Sequence, residues 1–209
     1  MGTEIALIFG SSPCGSWEFL QPYRGAAHVV CADGGLLMAE EAGFRPDEYV
    51  GDSDSGGAPR EGLPAILLPP EKNLTDLQAA YERTRDEGYR EIVLTACTGG
   101  RQDHHIANLQ LLETARRDGI RARILDPWNE ILFLEEESIT FRCDGFRYFS
   151  LLPADRELRG VTITGAKYPL ENVVVHRGDS LTVSNESLGG DVSVTIGRGS
   201  AWLILAGRK

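Results

Sequence analysis

The sequence predicts an α/β domain built on a parallel sheet, followed by a smaller all-β domain of sandwich or barrel-like type. Three observations carry this. Short apolar runs alternate with helix-like segments up to about residue 128. Three of the runs end in polar, glycine-containing turns, and the other two end at Pro69-Pro70 and Asp126-Pro127. Beyond that point the helical stripes give way to short β-like runs separated by glycines. The division is drawn between residues 1–128 and 129–209.

Residues 5–9, 28–32, 65–68, 91–97 and 121–125 are the apolar runs. Continuous runs of this length suit strands buried on both faces of a parallel sheet. Between them, residues 36–42 follow a double glycine, and residues 76–87 place Leu77, Ala80 and Tyr81 at helical spacing before Gly88. Residues 106–118 put Ile106, Leu109, Leu112 and Ala115 on one stripe, with Gly119 after it. In the second part, residues 161–164 alternate with period two, and 173–175, 181–183, 192–196 and 202–205 are further strand candidates.

Charge narrows the function. The chain has 209 residues, a formal charge of −10 and a pI near 4.9. This excludes a basic nucleic-acid-binding face and an anionic membrane surface as partners. A small anionic ligand remains compatible, because a metal ion and a few local cations reverse the field inside one pocket. No basic, apolar leader opens the sequence, and Cys14, Cys31, Cys97 and Cys143 form no Cys-x-x-Cys pair. A cytoplasmic protein with reduced thiols is expected.

Ligands of open α/β sheets bind outside the carboxyl ends of the strands. The polar clusters at those ends are Gly10-Ser11-Ser12, Asp33-Gly34-Gly35, Gly51-Asp52-Ser53-Asp54-Ser55, the segment from Thr98 to His104, and Asp126. Asp52 and Asp54, two apart on extended chain, point the same way about 6–7 Å apart. Such a pair suits Mg²⁺, which takes carboxylate oxygens and shares substrate phosphates; taken alone, so short a motif reads first as an acidic solvated turn. Thr75 reads as a helix N-cap with Asp76 in the first turn. Functionally, Lys72 is placed to contact phosphate and Asp76 to complete a metal site. Gly99-Gly100 opens the backbone to a ligand, and Arg101 offers a planar fork for phosphate or a base. Asp103 or His104 caps the following helix in the purely structural reading, and Asn108 lies one turn beyond His104. In the β part, Ser184-Asn185-Glu186 follows the 181–183 run, and Trp202 is either core or an indole face for a cation.

Taken in order, these elements resemble the thiamin pyrophosphokinase (thiamin diphosphokinase) family. Ala32-Asp33-Gly34-Gly35 is similar to its Ala-Asp-Gly-Gly, and Gly51 to Ser55 to its Gly-Asp-x-Asp-Ser. Lys72 to Asp76 is similar to its Lys-Asp-x-Thr-Asp, and Gly99 to His104 with Asn108 to its Gly-Gly-Arg-x-Asp-His with a downstream Asn. Tyr168-Pro169-Leu170 and Ser184-Asn185-Glu186 resemble segments of its β domain. Two positions depart: Asn73 replaces the first Asp of Lys-Asp-x-Thr-Asp, and Ser53 replaces an apolar residue.

The resemblance implies an N-terminal domain that binds ATP and Mg²⁺ and a β domain that contributes thiamin binding and dimer contacts. It implies a homodimer with the active site near the subunit interface, and transfer of the pyrophosphoryl group of ATP to the thiamin hydroxyl, giving thiamin diphosphate and AMP. On this reading Asp52, Asp54 and Asp76 hold Mg²⁺. Asp33 orients a donor or a metal-bound water, and Asp103 or Asp54 accepts the hydroxyl proton. Lys72 and Arg101 contact phosphates, with Ser55, Thr75, His104 and Asn108 supporting the nucleotide. Ser184, Asn185 and Trp202 meet thiamin. A pyrophosphokinase for another hydroxymethyl heterocycle such as a pterin, an Asp-x-Asp nucleotidyl- or glycosyltransferase, and a non-catalytic nucleotide sensor are the competing expectations.

Overall fold

A computed structural model of the chain describes residues 5–52, 59–69, 71 and 73–208. It divides into two compact units between Pro127 and Trp128. The α/β-then-β class expected from the sequence is the one observed.

In the first unit, β1 (Ile5–Phe9), β2 (Ala27–Ala32), β3 (Glu48–Gly51), β4 (Ala65–Leu67), β5 (Glu91–Thr95) and β6 (Arg121–Leu125) run parallel in the order β4-β3-β2-β1-β5-β6. The chain builds outward from β1 to β4 and then returns to the other side of β1, so the strand order reverses between β1 and β5. That reversal opens a crevice at the carboxyl ends, the place where such sheets take ligands. Helices α1 (Gly35–Glu41), α2 (Asp76–Asp86) and α3 (Gln102–Arg117) supply the crossovers, and a short 3-10 segment spans Glu18–Tyr23. Leu7, Phe9, Val29, Cys31, Leu36 and Tyr49 form part of the buried core on one face.

Three features differ from the sequence reading. The apolar runs are buried on both faces at β1, whose Ala6 to Phe9 are solvent-free. They are not at β4, where Leu67 is 66% exposed; β4 is the outer strand and has only one neighbour. The strand β3 was not anticipated, because its four residues include the polar Glu48 and Tyr49. Helix α3 starts at Gln102, a full turn before the apolar stripe begins at Ile106.

The second unit holds two antiparallel sheets. One is β7 (Asn129–Glu135), β13 (Ser200–Arg208) and β9 (Phe146–Pro153), with β13 in the middle. The other is β11 (Leu170–His176), β10 (Glu157–Thr164), β12 (Val192–Thr195) and β8 (Ser138–Phe141). Phe149, Leu151, Leu158, Val161, Ile163, Val194 and Leu203 fill the core they share, as expected for sheets that alternate inward apolar and outward polar side chains. The run 181–183 is a turn rather than a strand. It touches β9 through single bonds: Thr182 Oγ1 donates to the Leu151 carbonyl, and the Leu151 amide donates to the Thr182 carbonyl at 3.0 Å.

Candidate functional site

The acidic rim follows from the topology. Strands β2 and β3 are parallel neighbours with Ala32 opposite Val50, so Asp33 and Asp52, one residue beyond each strand, emerge side by side. Helix α2 packs on β2 and β3 and starts with Asp76. The result is a group in which Asp33, Asp52 and Asp76 each offer a carboxylate oxygen within 4.8 Å of the other two.

Asp33 is the most constrained member. It is 4% exposed. Its φ is +46°, a left-handed conformation that Asp and Asn tolerate better than most residues. Its amide donates to the Val50 carbonyl at 2.9 Å, and its Oδ1 accepts from the buried Tyr49 hydroxyl at 3.0 Å. Two glycines make room for this. A Cβ on Gly51 would lie 2.9 Å from Asp33 Cα and Cβ, and one on Gly35 would lie 2.0 Å from the Phe9 carbonyl oxygen. Real Cβ atoms do not approach so closely, so the glycines in Asp-Gly-Gly and Gly-Asp are packing requirements.

Of the metal set expected from the sequence, Asp52 and Asp76 are brought together; Asp54 lies outside the described residues, as do Ser55 and Lys72. Two further features were missed by sequence reasoning. Asp33 joins the group with an oxygen in ligand range, and Tyr49 holds it there. The available signal for Tyr49 was a buried-type aromatic two residues before Gly51.

Thr75 caps α2 as expected: its φ and ψ are −71° and 155°, and its Oγ1 accepts from the Gln78 amide at 3.2 Å. The cap fixes the first turn and with it Asp76.

Beyond β5, Thr98 Oγ1 donates to Asp126 Oδ2 at 3.0 Å, joining the ends of β5 and β6. Arg101 and Asp103 are exposed and form a two-point pair, Nε to Oδ1 at 3.2 Å and Nη2 to Oδ2 at 2.6 Å. The Arg101 guanidinium, and then the His104 amide, hold the Asp103 carboxyl down at about 2. Neither Asp103 nor His104 caps α3; both lie inside its first turn, and Arg101 at the cap position makes no side-chain cap bond. The Asn108 side chain is buried and donates from Nδ2 to the Cys97 carbonyl at 2.8 Å. It therefore fastens α3 to the end of β5. His104 is exposed at the helix start.

In the second unit, Ser184 adopts a left-handed φ of +59° and its amide donates to Ser150 Oγ at 2.9 Å. Asn185 is 4% exposed. Its Nδ2 donates to the Tyr168 carbonyl at 2.8 Å, while its Oδ1 accepts from the Tyr168 amide at 3.0 Å and the Glu186 amide at 2.9 Å. This side chain is a clamp on the Tyr168-Pro169-Leu170 segment. Trp202 lies on β13 between the buried Ala201 and Leu203 and so points to the opposite sheet face, half-buried, with the Phe133 ring edge-on at 5.9 Å. No helix among the described residues is long and apolar enough to cross a membrane.

Comparison with known proteins gives three findings. Residues 20–124 match the family model "Thiamin pyrophosphokinase, catalytic domain", and residues 135–200 match "Thiamin pyrophosphokinase, vitamin B1 binding domain". A thiamine pyrophosphokinase of Bacillus subtilis is 32% identical over 164 residues, covering 75% of this chain and 77% of that protein. Among solved structures, thiamine pyrophosphokinase from Bacillus subtilis superposes with a TM-score of 0.86 at 27% identity, covering 97% of this chain and 98% of the other. Thiamin pyrophosphokinase from Geobacillus thermodenitrificans gives 0.83 at 30% identity, covering 97% of each chain.

Proposed function

The chain belongs to the thiamin pyrophosphokinase family, and from that premise we propose that it transfers the pyrophosphoryl group of ATP to the hydroxyl of thiamin, giving thiamin diphosphate and AMP. A pterin or other heterocyclic acceptor is not favoured, because the second unit matches a vitamin B1 binding domain.

The observation that carries this reading on the structure is the convergence of Asp33, Asp52 and Asp76 at the carboxyl rim of the sheet. Their donors are all hard carboxylate oxygens, a set that fits Mg²⁺ and suits softer ions less. Asp33, Asp52 and Asp76 would hold the ion, with Asp54 assigned to the same set from the sequence. When bound, Mg²⁺ neutralises phosphate charge and makes AMP a better leaving group.

The chain's own groups do the rest. Arg101, its Nε and Nη2 held by Asp103, would offer the remaining Nη1–Nη2 edge to phosphate oxygens, with Lys72 and the Gly99-Gly100 backbone assigned to the same role from the sequence. Ser55 and His104 support the nucleotide, while Thr75 and Asn108 act by fixing α2 and α3. The thiamin hydroxyl loses its proton to a rim carboxylate as it attacks. Asp103 and Asp54 are the candidate bases; the Arg101 pair that lowers the Asp103 carboxyl also keeps it ionised and able to accept. The thiazolium cation stacks on Trp202, where a desolvated cation–π contact contributes up to about 2 kcal/mol. Ser184 meets the aminopyrimidine, and Asn185 acts chiefly by holding Tyr168 in place. Exposed apolar side chains around these residues, Tyr168, Leu181, Val183 and Leu188, support a homodimer contact on this unit.

Incubation with ATP, Mg²⁺ and thiamin tests the reading. AMP and thiamin diphosphate are expected, and Asp76→Asn should remove both while retaining the folded circular-dichroism spectrum. Release of ADP, or near-normal turnover by Asp76→Asn, overturns it. Trp202→Ala should raise KM for thiamin more than KM for ATP; the reverse removes Trp202 from the thiamin site.

A further inference from the structure

We propose that His28, Glu48 and Glu87 form a second cation site, suited to a first-row transition ion such as Zn²⁺ or Co²⁺, at the amino ends of the parallel strands. His28 is the second residue of β2, Glu48 the first of β3, and Glu87 the residue that ends α2. Each offers one ligand atom within 4.8 Å of the other two. His28 is near the start of β2 and Asp33 is one residue past its end, so this cluster is about 16 Å from the acidic rim.

Two atoms inside the cluster point to a ligand. Glu48 is 6% exposed, and its Oε2 is fully buried with no hydrogen-bond partner. His28 Nε2 is likewise buried and without one, with Glu87 Oε2 at 4.0 Å. Buried polar atoms of native folds are almost always satisfied.

The surroundings are arranged as an outer shell. Arg83 takes the other oxygen of each glutamate, Nε to Glu48 Oε1 at 3.1 Å and Nη2 to Glu87 Oε1. Glu87 Oε2 is thereby left facing the imidazole, and Glu48 Oε2 is left without a partner. Asp47 Oδ2, which accepts from the Val29 amide at 2.8 Å, stands 3.7 Å from His28 Nδ1 and adds negative charge beside the ring without bonding to it. The ring is stacked on Tyr89 at 5.2 Å. Asp47, Glu48 and Glu87 against Arg83 and Arg90 leave one net negative charge facing the cluster, with Glu91 and Arg121 offsetting each other. Arg90 is committed to the Arg85 and Tyr89 carbonyls. Tetrahedral zinc needs ligand atoms about 3.4 Å apart, which small rotations of the glutamate side chains reach. A cavity of about 730 Å³ lined by His28, Glu87, Tyr89, Arg90, Glu91 and Arg121 provides entry and room for water ligands. Imidazole in the set favours a transition ion over Mg²⁺.

The test uses Co²⁺ with the full-length protein and its Asp76→Asn variant, both in excess Mg²⁺, so that the rim cannot account for uptake. One equivalent by equilibrium dialysis is expected, with a visible ligand-field band. Affinity should fall at least about tenfold in His28→Gln and in Glu87→Gln. His28→Gln should form AMP at the wild-type rate, so the two sites fail independently. Unchanged Co²⁺ affinity in His28→Gln, or no uptake by wild type, overturns the proposal. So does stabilisation on acidification without uptake, which would show that protonated His28 satisfies the carboxylates instead.

Discussion

Replacing Tyr49 by Phe removes one oxygen atom from a fully buried position and leaves the ring packing in place. The interactions lost include the 3.0 Å bond to Asp33 Oδ1. Hydrogen bonds to charged groups contribute about 1.5–3 kcal/mol, and Asp33, 4% exposed, has little water to replace the donor. At about 2–4 °C per kcal/mol for a chain of this size, the melting temperature of the first unit should fall by roughly 3–12 °C. Asp33→Asn makes the opposite separation. The amide oxygen still accepts from Tyr49, and Asn tolerates the φ of +46°. Stability should change by less than about 1 kcal/mol. The ligand charge is gone, however, so AMP formation and Mg²⁺ affinity should fall together. Calorimetry and Mg²⁺ titration of turnover on the two variants check both arms. If Tyr49→Phe melts with wild type, or Asp33→Asn keeps wild-type turnover, the account of Asp33 as a held metal ligand is wrong.

Thr75→Ala should destabilise α2 by about 1 kcal/mol through loss of the cap, seen as faster amide exchange at Gln78, with a modest rise in the Mg²⁺ requirement because Asp76 loosens. Asn185→Ala strands the Tyr168 amide and carbonyl and should cost about 2–4 kcal/mol; thiamin KM should rise while ATP KM stays fixed, and a change in ATP KM alone would refute the clamp. Asp103 should titrate near 2 in a carboxylate NMR experiment. Its folded value is depressed, so any stabilisation is present above the unfolded carboxylate range near 4 and is lost as pH falls towards 2. Arg101→Ala should raise that midpoint, with the His104 amide bond still holding it below the ordinary aspartate value.

Buried regularity made the first unit legible. β1, β2 and β5 are read from apolar runs because central parallel strands are largely covered on both faces, whereas β6 is read from its buried Ile124 and Leu125 alone. β3 escaped because Glu48 is buried through its pairing with Arg83, a partner 35 residues away. α3 was placed late because Gln102 to His105 form its exposed first turn, which has no apolar stripe to mark it. In the second unit β7, β8 and β9 went unnoticed, and 181–183 passed for a strand because its composition suits a ladder that it forms only at single points. The rim acids were legible as residues. Their meeting was not, since it depends on β2 and β3 being neighbours and on where α2 begins. Asn185 illustrates the converse: its position was noted, but its amide is turned inward on Tyr168.

Gly35 and Gly51 leave 2.0 Å and 2.9 Å where a methyl group would have to sit. In a saturation screen for activity, the least tolerant codons near the rim should therefore include two that encode no functional group. An aspartate there has a near-isostere that retains its shape, and selection can find it. A residue whose contribution is an empty volume has no conservative replacement, so the glycines bound how far the acidic chemistry around them can be re-engineered.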